Sequence, residues 1–344
     1  MHILFGIQGT GNGHISRGRM LAKYLAEYNV KVTYLISGRK KSELFDMEVF
    51  GNFLHRKGLT FITENGQINY PKTVIKNNLF SFINEIRSLD VIDYDLIISD
   101  FEPVCAWAGK RANKPTLGIG HQYAFGPNTP LAGDTMMTRA IMQNFAPTQQ
   151  SIGLHWHQYD KNILPPIVDT SLAKKENNAK PHILVYLPFE NVEQVCALLN
   201  ECADYHFIIY APVVIASNWE NIDLKRTSYQ AFKHDLACAN GVICNSGFEL
   251  ISECLHIGLP VLTKPLRGQM EQHANAKALS ELNYATVIHK LDKQAIMAWL
   301  AQDKMMVAKP MPNVAKAIAE RIANNDWKNI DALSDRLWQH ALSV

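Results

Sequence analysis

The sequence predicts an α/β protein of two doubly wound parallel-sheet domains facing each other across a cleft. Apolar strand runs alternate with amphipathic helical segments along most of the chain, which favours parallel sheets covered on both faces. The alternation restarts after a polar linker, Asp169 to Pro181 (DTSLAKKENNAKP), with a second first strand at HILVYLPF. A length of 344 residues, 47% of them hydrophobic and 19% charged, suffices for two full cores. The expected division is residues 1–168 and 180–325.

In the first domain HILFGI is a buried strand, followed by a glycine-rich turn and an amphipathic helix through about Tyr28. VKVTYLIS and LTFITENG are the next strands, then a helix over Leu79 to Leu89, then strands DLIISD and PTLGIG. In the second domain YHFIIYAP, Ile222 to Leu224, GVICN and PVLTKP are strands, with Tyr205 to Trp219 reading as a buried strand plus loop. Helices fall near Val192 to Asn200 and Phe232 to Ala239, and further on at Lys293 to Gln302, Asn313 to Asn324 and Asn329 to Ala341. Leu333, Leu337 and Trp338, with Trp327 just before them, form a packing stripe.

A net charge of +2, with Lys and Arg scattered, argues against a nucleic-acid partner. Cys105, Cys196, Cys202, Cys238, Cys244 and Cys254 show neither metal-ligand spacing nor a disulfide framework, and read as buried thiols of a reducing compartment. Met1 runs straight into an apolar strand, and no run is long and apolar enough to span a bilayer. The expectation is a cytoplasmic protein. Arg17, Arg19, Arg39, Lys40 and Lys41 suit an anionic acceptor or peripheral contact with the inner face of the membrane, although a solvated helix face is the simpler account.

The turn Gln8-Gly9-Thr10-Gly11-Asn12-Gly13-His14 approaches the dinucleotide fingerprint, but its last glycine comes too early. The second strand also ends in Ser37-Gly38-Arg39, without the acid that binds a ribose 2′-hydroxyl. Glycines chosen for backbone geometry alone explain the turn equally well. Ligands of doubly wound sheets bind beyond the carboxyl ends of the strands, where His14, Asp100 and His121 fall, with Glu102 and Gln122 nearby. A His and an Asp brought together there make a base with its orienting carboxylate. Taken singly, each is as readily a cap or a loop hydrogen-bonding group.

The densest pattern is Cys244 to Ala276, CNSGFELISECLHIGLPVLTKPLRGQMEQHANA. A helix begins at Phe248, with Glu249, Glu253 and His256 on one polar stripe and Phe248, Ile251, Cys254 and Leu255 on the buried side. Gly258 ends it as a C-terminal cap, and Pro260 opens the next strand. A helix N-terminus after Gly247 suits a phosphate, and a carboxylate further along suits ribose hydroxyls. An ordinary βαβ unit with a solvated acidic stripe gives the same pattern, and Glu249 reads as its surface residue.

The ordered series Ser246-Gly247, Glu253, Gly258-Leu259-Pro260, Pro265, Glu271-Gln272 and Asn275-Ala276 resembles that of inverting, nucleotide-sugar-dependent glycosyltransferases of the GT-B fold. That fold is two facing Rossmann-like domains with an interdomain cleft. The likeness covers most of the chain and is strongest over residues 242–284. It is closest to a bacterial and archaeal branch related to the enzyme that adds N-acetylglucosamine to lipid-linked peptidoglycan precursors, and more distantly to the UDP-glycosyltransferases of plants and animals.

The resemblance implies that Ser246, Gly247 and Phe248 meet the donor diphosphate, that Glu253 holds its ribose, and that Glu271 and Gln272 read its sugar hydroxyls, with Asn275 in the same site. The loop Thr227 to Phe232, through Tyr229 and Phe232, would contact the base. Gly11, Asn12 and Gly13, with His121, form the acceptor or phosphate loop; His14 is the general base and Asp100 its partner. The chain departs from the pattern at Asn245, where the peptidoglycan enzyme commonly has a basic residue, and at YLPFENV, which lacks a glycine-rich loop. A helix at about 326–344 is expected to pack back on the first domain.

The implied reaction is metal-independent, needs no cofactor, and moves a sugar from a UDP-sugar to a hydroxyl of an acceptor such as a cell-envelope glycan or lipid. Loops Arg39 to Phe53 and Gln122 to Thr138 are the expected acceptor pocket. Asp93-Tyr94-Asp95 looks like a metal-binding Asp-x-Asp but immediately precedes a buried strand, and reads as a turn. Three other readings share these features. They are a nucleotide-sugar epimerase of the same architecture, an NADP-dependent oxidoreductase, which the missing strand-two acid opposes, and an inactive sugar-nucleotide-binding protein, which an intact His14–Asp100 pair opposes.

Overall fold

The computed structural model describes residues 1–133, 135–175, 181–212, 219–302 and 306–343. The first domain carries β1 (His2–Gln8), α1 (Asn12–Glu27), β2 (Lys31–Ser37), β3 (Leu54–His55), the hairpin of β4 (Thr63–Glu64) and β5 (Gln67–Ile68), α2 (Tyr70–Lys76) and α3 (Leu79–Ser88). It continues with β6 (Leu96–Asp100), α4 (Pro103–Arg111), β7 (Thr116–Gly120), α5 (Met136–Phe145), β8 (Gln150–Leu154) and β9 (Ile163–Leu164). The second domain carries β10 (Ile183–Tyr186), α6 (Val192–Asn200), β11 (Phe207–Ala211), β12 (Ile222–Arg226), α7 (Tyr229–Cys238) and β13 (Gly241–Asn245). After these come α8 (Phe248–Ile257), β14 (Val261–Lys264), α9 (Met270–Glu281), β15 (Thr286–Val287) and α10 (Lys293–Leu300), and the chain closes with α11 (Val314–Ala323) and α12 (Asp331–Ser343).

Both main sheets are parallel, in the orders β3-β2-β1-β6-β7-β8-β9 and β12-β11-β10-β13-β14-β15. Their central strands are apolar runs buried on both faces, as parallel strands between helix layers must be. Each order reverses beside the domain's first strand, between β1 and β6 and between β10 and β13. Those switch points open a crevice at the strand ends. Ile7 pairs in register with Asp100, so the turn leading to His14 rises directly beside Asp100.

Two differences from the sequence reading have physical causes. LTFITENG is not a strand of the main sheet: Leu54–His55 takes the edge place beside β2. Gly58 (φ +59°), Asn65 (φ +48°) and Gly66 (φ +73°) break the expected run, and Asn65-Gly66 closes a hairpin instead. The return to the first domain begins before residue 326, because α11 already lies along α1, where Asn313 Nδ2 donates to Tyr24 OH at 2.6 Å. Then α12 seats on β9, with Ser334 Oγ and Trp338 Nε1 both donating to the Ile163 carbonyl. Within the expected linker and the Tyr205–Trp219 segment, residues 176–180 and 213–218 lie outside the described residues, as does Val344.

All six cysteines are free thiols, five of them buried. Among the described residues no helix is long and apolar enough to cross a membrane. Asp95 follows the turn at Ile92-Asp93 and accepts a hydrogen bond from the His2 N–H at 2.7 Å.

Candidate active site

His14 sits in the first turn of α1, and its Nδ1 lies 2.7 Å from Asp100 Oδ1 at the end of β6. Asp100 is fully buried and is also held by Arg17, whose Nη2 donates to Oδ1 (2.5 Å) and Nε to Oδ2 (2.9 Å). Burial raises the Asp100 carboxyl, but Arg17 and His14 outweigh it and hold the group below the usual aspartate range. An ionised Asp100 fixes the Nδ1–H tautomer and leaves the Nε2 lone pair to face outward. Gln122 Nε2 lies 3.4 Å from that Nε2 and donates to Glu271 Oε2 of the second domain at 3.0 Å.

Arg17 is 2% exposed and pairs through Nη1 with Glu249 in the first turn of α8. Burial opposes its charge, yet Asp100 and Glu249 more than offset this and raise the guanidinium above its ordinary value. Glu249 goes the other way. Burial dominates, and even with Arg17 beside it the carboxyl is pushed up to about 8. The nearby carboxylates of Asp100 and Glu253 add to the rise. Gly13 makes this approach of α1 to α8 feasible, since a Cβ there would stand 2.9 Å from Glu249 Cγ.

Around the dyad lies a cavity of about 250 Å³ between the domains. Gly247 caps α8 there with no side-chain hydrogen bond, so the first N–H groups of a ten-residue helix stay open at the wall. Three residues that line it, Gln122, Asn245 and Gln269, have buried side-chain amide oxygens that accept no hydrogen bond from the described residues. A second cavity of about 90 Å³ adjoins it through Asn12, Gly13, Tyr186, Glu249 and Leu250. Its walls are Tyr210, Tyr229 and Phe232, with the buried ion pair of Lys233 and Glu253. Burial opposes the Lys233 charge, but Glu253 overcomes it and raises the ammonium.

The family model described as glycosyl transferase family 1 matches residues 1–302. The chain belongs to that family. Solved structures with the same GT-B fold include the glycotransferase of kitacinnamycin (TM-score 0.59, 13% identity, 98% of each chain covered) and MurG from Acinetobacter baumannii (0.53, 13%, 97% of this chain and 99% of that one). SsfS6 from Streptomyces sp. SF2575, in a complex with thymidine diphosphate, is similar at a TM-score of 0.55 and 11% identity, covering 100% of this chain and 96% of that one. No curated protein matches in sequence.

In this glycosyltransferase the large cavity collects Gly11, Asn12, Gly13, His14, His121, Gly247, Phe248, Glu271 and Gln272, and the small one Tyr229, Phe232 and Glu253. Asp100 lies behind His14. Two expected donor contacts line neither cavity. Ser246 is fully buried, its Oγ 3.0 Å from Thr263 Oγ1 and its N–H donating to the Lys264 carbonyl. Asn275, also fully buried, joins His121 Nε2 (2.6 Å) to the Ser246 carbonyl (3.0 Å) and braces the wall from behind. Gln272 keeps its place but directs Oε1 to the Leu266 N–H. His121 stacks on Phe248, centroids 3.9 Å apart, with both ring nitrogens at hydrogen-bonding distance from the Leu154 carbonyl and Asn275 Oδ1.

The reading of Glu249 as a surface residue is overturned, because the polar stripe of α8 packs on polar partners: Arg17 takes Glu249, Lys233 takes Glu253, and His256 Nδ1 accepts the Met311 N–H. The arginines read as a solvated face are engaged too. Arg19 lies over the Tyr229 ring (4.8 Å), and Arg39 donates to the Gly9 carbonyl and Asn12 Oδ1. Sequence reasoning also missed Trp156, whose Nε1 donates to Ser252 Oγ across the domain junction. Glu102 is structural, accepting from the N–H groups of Val104 and Cys105 as the N-cap of α4. Of the expected acceptor loops, Gln122 and Thr138 line the large cavity, whereas the Arg39–Phe53 loop reaches only the small one, through Phe45.

Proposed function

We propose that this glycosyltransferase moves a sugar, with inversion, from a pyrimidine nucleoside-diphosphate sugar, a UDP-sugar first among them, to a hydroxyl of an acceptor. The observation that carries the reading is the Asp100-oriented His14, with Nε2 facing the interdomain cavity opposite the uncapped N-terminus of α8. The nucleoside belongs in the small cavity, against Tyr229 and Phe232, with its ribose at Glu253. The diphosphate passes the start of α8, and the sugar lies in the large cavity. There Glu271 reads a sugar hydroxyl, with Gln122, Asn245 and Gln269 lining the same cavity.

His14 Nε2 takes the acceptor's O–H proton as that oxygen bonds to the anomeric carbon. The bond from that carbon to the diphosphate oxygen breaks, and its electron pair leaves with the nucleoside diphosphate. Open N–H groups and the helix dipole at the start of α8 stabilise the charge, so the scheme calls on no metal and no cofactor. SsfS6 in its complex holds thymidine diphosphate, which supports a pyrimidine donor. The test is a thermal-shift screen of UDP- and dTDP-sugars, followed by detection of released nucleoside diphosphate with candidate acceptors. Stabilisation by a nucleotide sugar, with release that depends on His14, is the expected result. Release unchanged in a folded His14→Ala protein would refute the base assignment.

A further inference from the structure

We infer that the first-domain loop 44–47 belongs to the nucleoside site, with the Phe45 ring as a wall for the base; this rests on the donor placement proposed above. The small cavity is not built by the second domain alone. Ile15 and Arg19 of α1, and Phe45, line it together with Tyr186, Tyr229 and Phe232. The loop is pinned against α7. Arg19 donates to the carbonyls of Phe45 (3.0 Å) and Asp46, and its guanidinium lies over the Tyr229 ring at 4.8 Å. Asp46 Oδ2 accepts the Tyr229 N–H at 2.8 Å, satisfying a donor that the first turn of α7 leaves open. Asp46 holds φ +52°, a left-handed conformation that Asp tolerates better than most side chains, so the chain turns immediately after the ring that lines the cavity.

The chemistry of these walls selects the base rather than the diphosphate. Among the described residues the cations lining the small cavity are Arg19 and Lys233, and both are engaged, Arg19 with the loop carbonyls and Lys233 with Glu253. A phosphate would meet no uncommitted positive charge there, whereas the rings offer faces to a planar heterocycle. Phe45 is only half-buried, although Phe50 on the same loop belongs to the core. Its ring is therefore held at the cavity by the bonds of its neighbours and not by core packing, which suits it to contact a ligand. A base touching both Phe45 and the α7 rings bridges the two domains through the nucleoside alone. The loop expected to shape the acceptor pocket thus becomes a donor element.

The test uses the full chain with UDP, uridine and the photoreactive analogue 5-iodouridine. Calorimetry for UDP and ligand-observed NMR titration for uridine should show Phe45→Ala weakening both by a similar factor, roughly ten- to a hundredfold, with Phe45→Tyr near the wild type. Irradiated 5-iodouridine should cross-link to the tryptic peptide 42–56 of the first domain as well as to 227–233 of the second, and the first cross-link should vanish in Phe45→Ala. Wild-type uridine affinity in Phe45→Ala, a loss for UDP but not for uridine, or cross-links on 227–233 alone would overturn the inference and leave the donor placement standing. No binding of UDP to the wild type, or cross-links on neither peptide, would sink that placement and this inference with it.

Discussion

Glu249→Gln separates two descriptions of the buried contact between α1 and α8. The carboxyl is pushed up to about 8 by burial, against an ordinary glutamate value near 4.5 in the unfolded chain. A carboxyl raised on folding stays protonated in the native state while the unfolded state has released its proton. Its contribution is therefore fully present below about pH 4.5 and is lost as pH rises toward 8. At about 1.4 kcal/mol per pH unit, this one group costs the wild type roughly 3–4 kcal/mol between pH 5 and pH 8, and the loss levels off above that. Glutamine keeps the carbonyl that accepts from Arg17 and cannot titrate, so other ionisations cancel in the comparison. Denaturant unfolding of both proteins at pH 5, 6.5, 8 and 9.5 should show similar stability at pH 5 and a widening advantage for the glutamine protein up to pH 8. A pH-independent difference, or a glutamine protein less stable at pH 7, would show instead that Glu249 is a fully ionised partner of Arg17. The consequence for function is electrostatic. A neutral carboxyl in the first turn of α8 leaves the helix N-terminus free of an anion that would oppose a diphosphate.

Three further outcomes follow from the site. His14→Ala should cut transfer by about 10²–10⁴-fold, read as nucleoside diphosphate released with saturating acceptor, while nucleotide affinity by calorimetry stays at the wild-type level. Asp100→Asn leaves the buried Arg17 guanidinium without its main counter-charge, so a loss on the order of 3–5 kcal/mol in denaturant unfolding is expected together with a fall in transfer. Glu253→Ala removes the partner of Lys233 and the carboxylate proposed to hold the donor ribose. Nucleotide affinity should drop roughly ten- to a hundredfold by calorimetry, and an unchanged affinity would remove Glu253 from the donor site.

The alternating strands and helices were legible because parallel strands buried on both faces must be continuous apolar runs, as HILFGI and GVICN are. Gly258 was legible as a cap for an equally local reason: it stands in the left-handed region at φ +74°. The misread charges share one cause, partners elsewhere in the chain. Glu249 and Glu253 lie four apart on a helix and look like a solvated stripe, but the cations that bury them come from Arg17 and Lys233, 232 and 20 residues away. Arg17 looked like a surface cation because its period on α1 says nothing of a second domain pressed on that helix. The Asn65-Gly66 hairpin had a signal, the dipeptide that favours two positive φ values, overshadowed by the apolar run before it. Ser246 and Asn275 were found as a pattern but not as a contact, since an ordered motif does not reveal which members line a cavity and which brace it.

His14, the proposed base, is tied to the second domain from both sides. Behind it, Asp100 is shared with Arg17, and Arg17 reaches Glu249 at the start of α8; in front of it, Gln122 stands at Nε2 and is held by Glu271. Glu271, proposed to read the donor sugar, and Glu249, in the helix turn proposed to face the diphosphate, are thus both linked to the imidazole and its carboxylate. On the proposed roles, positioning the base and seating the donor become one structural event, which requires the domains to be together. Interactions of this kind act on the transition state rather than on substrate binding alone, because they set the attack geometry as well as the affinity. Shortening Glu271 to alanine should accordingly lower kcat along with donor affinity, whereas a residue that only gripped the sugar would raise KM and leave kcat in place.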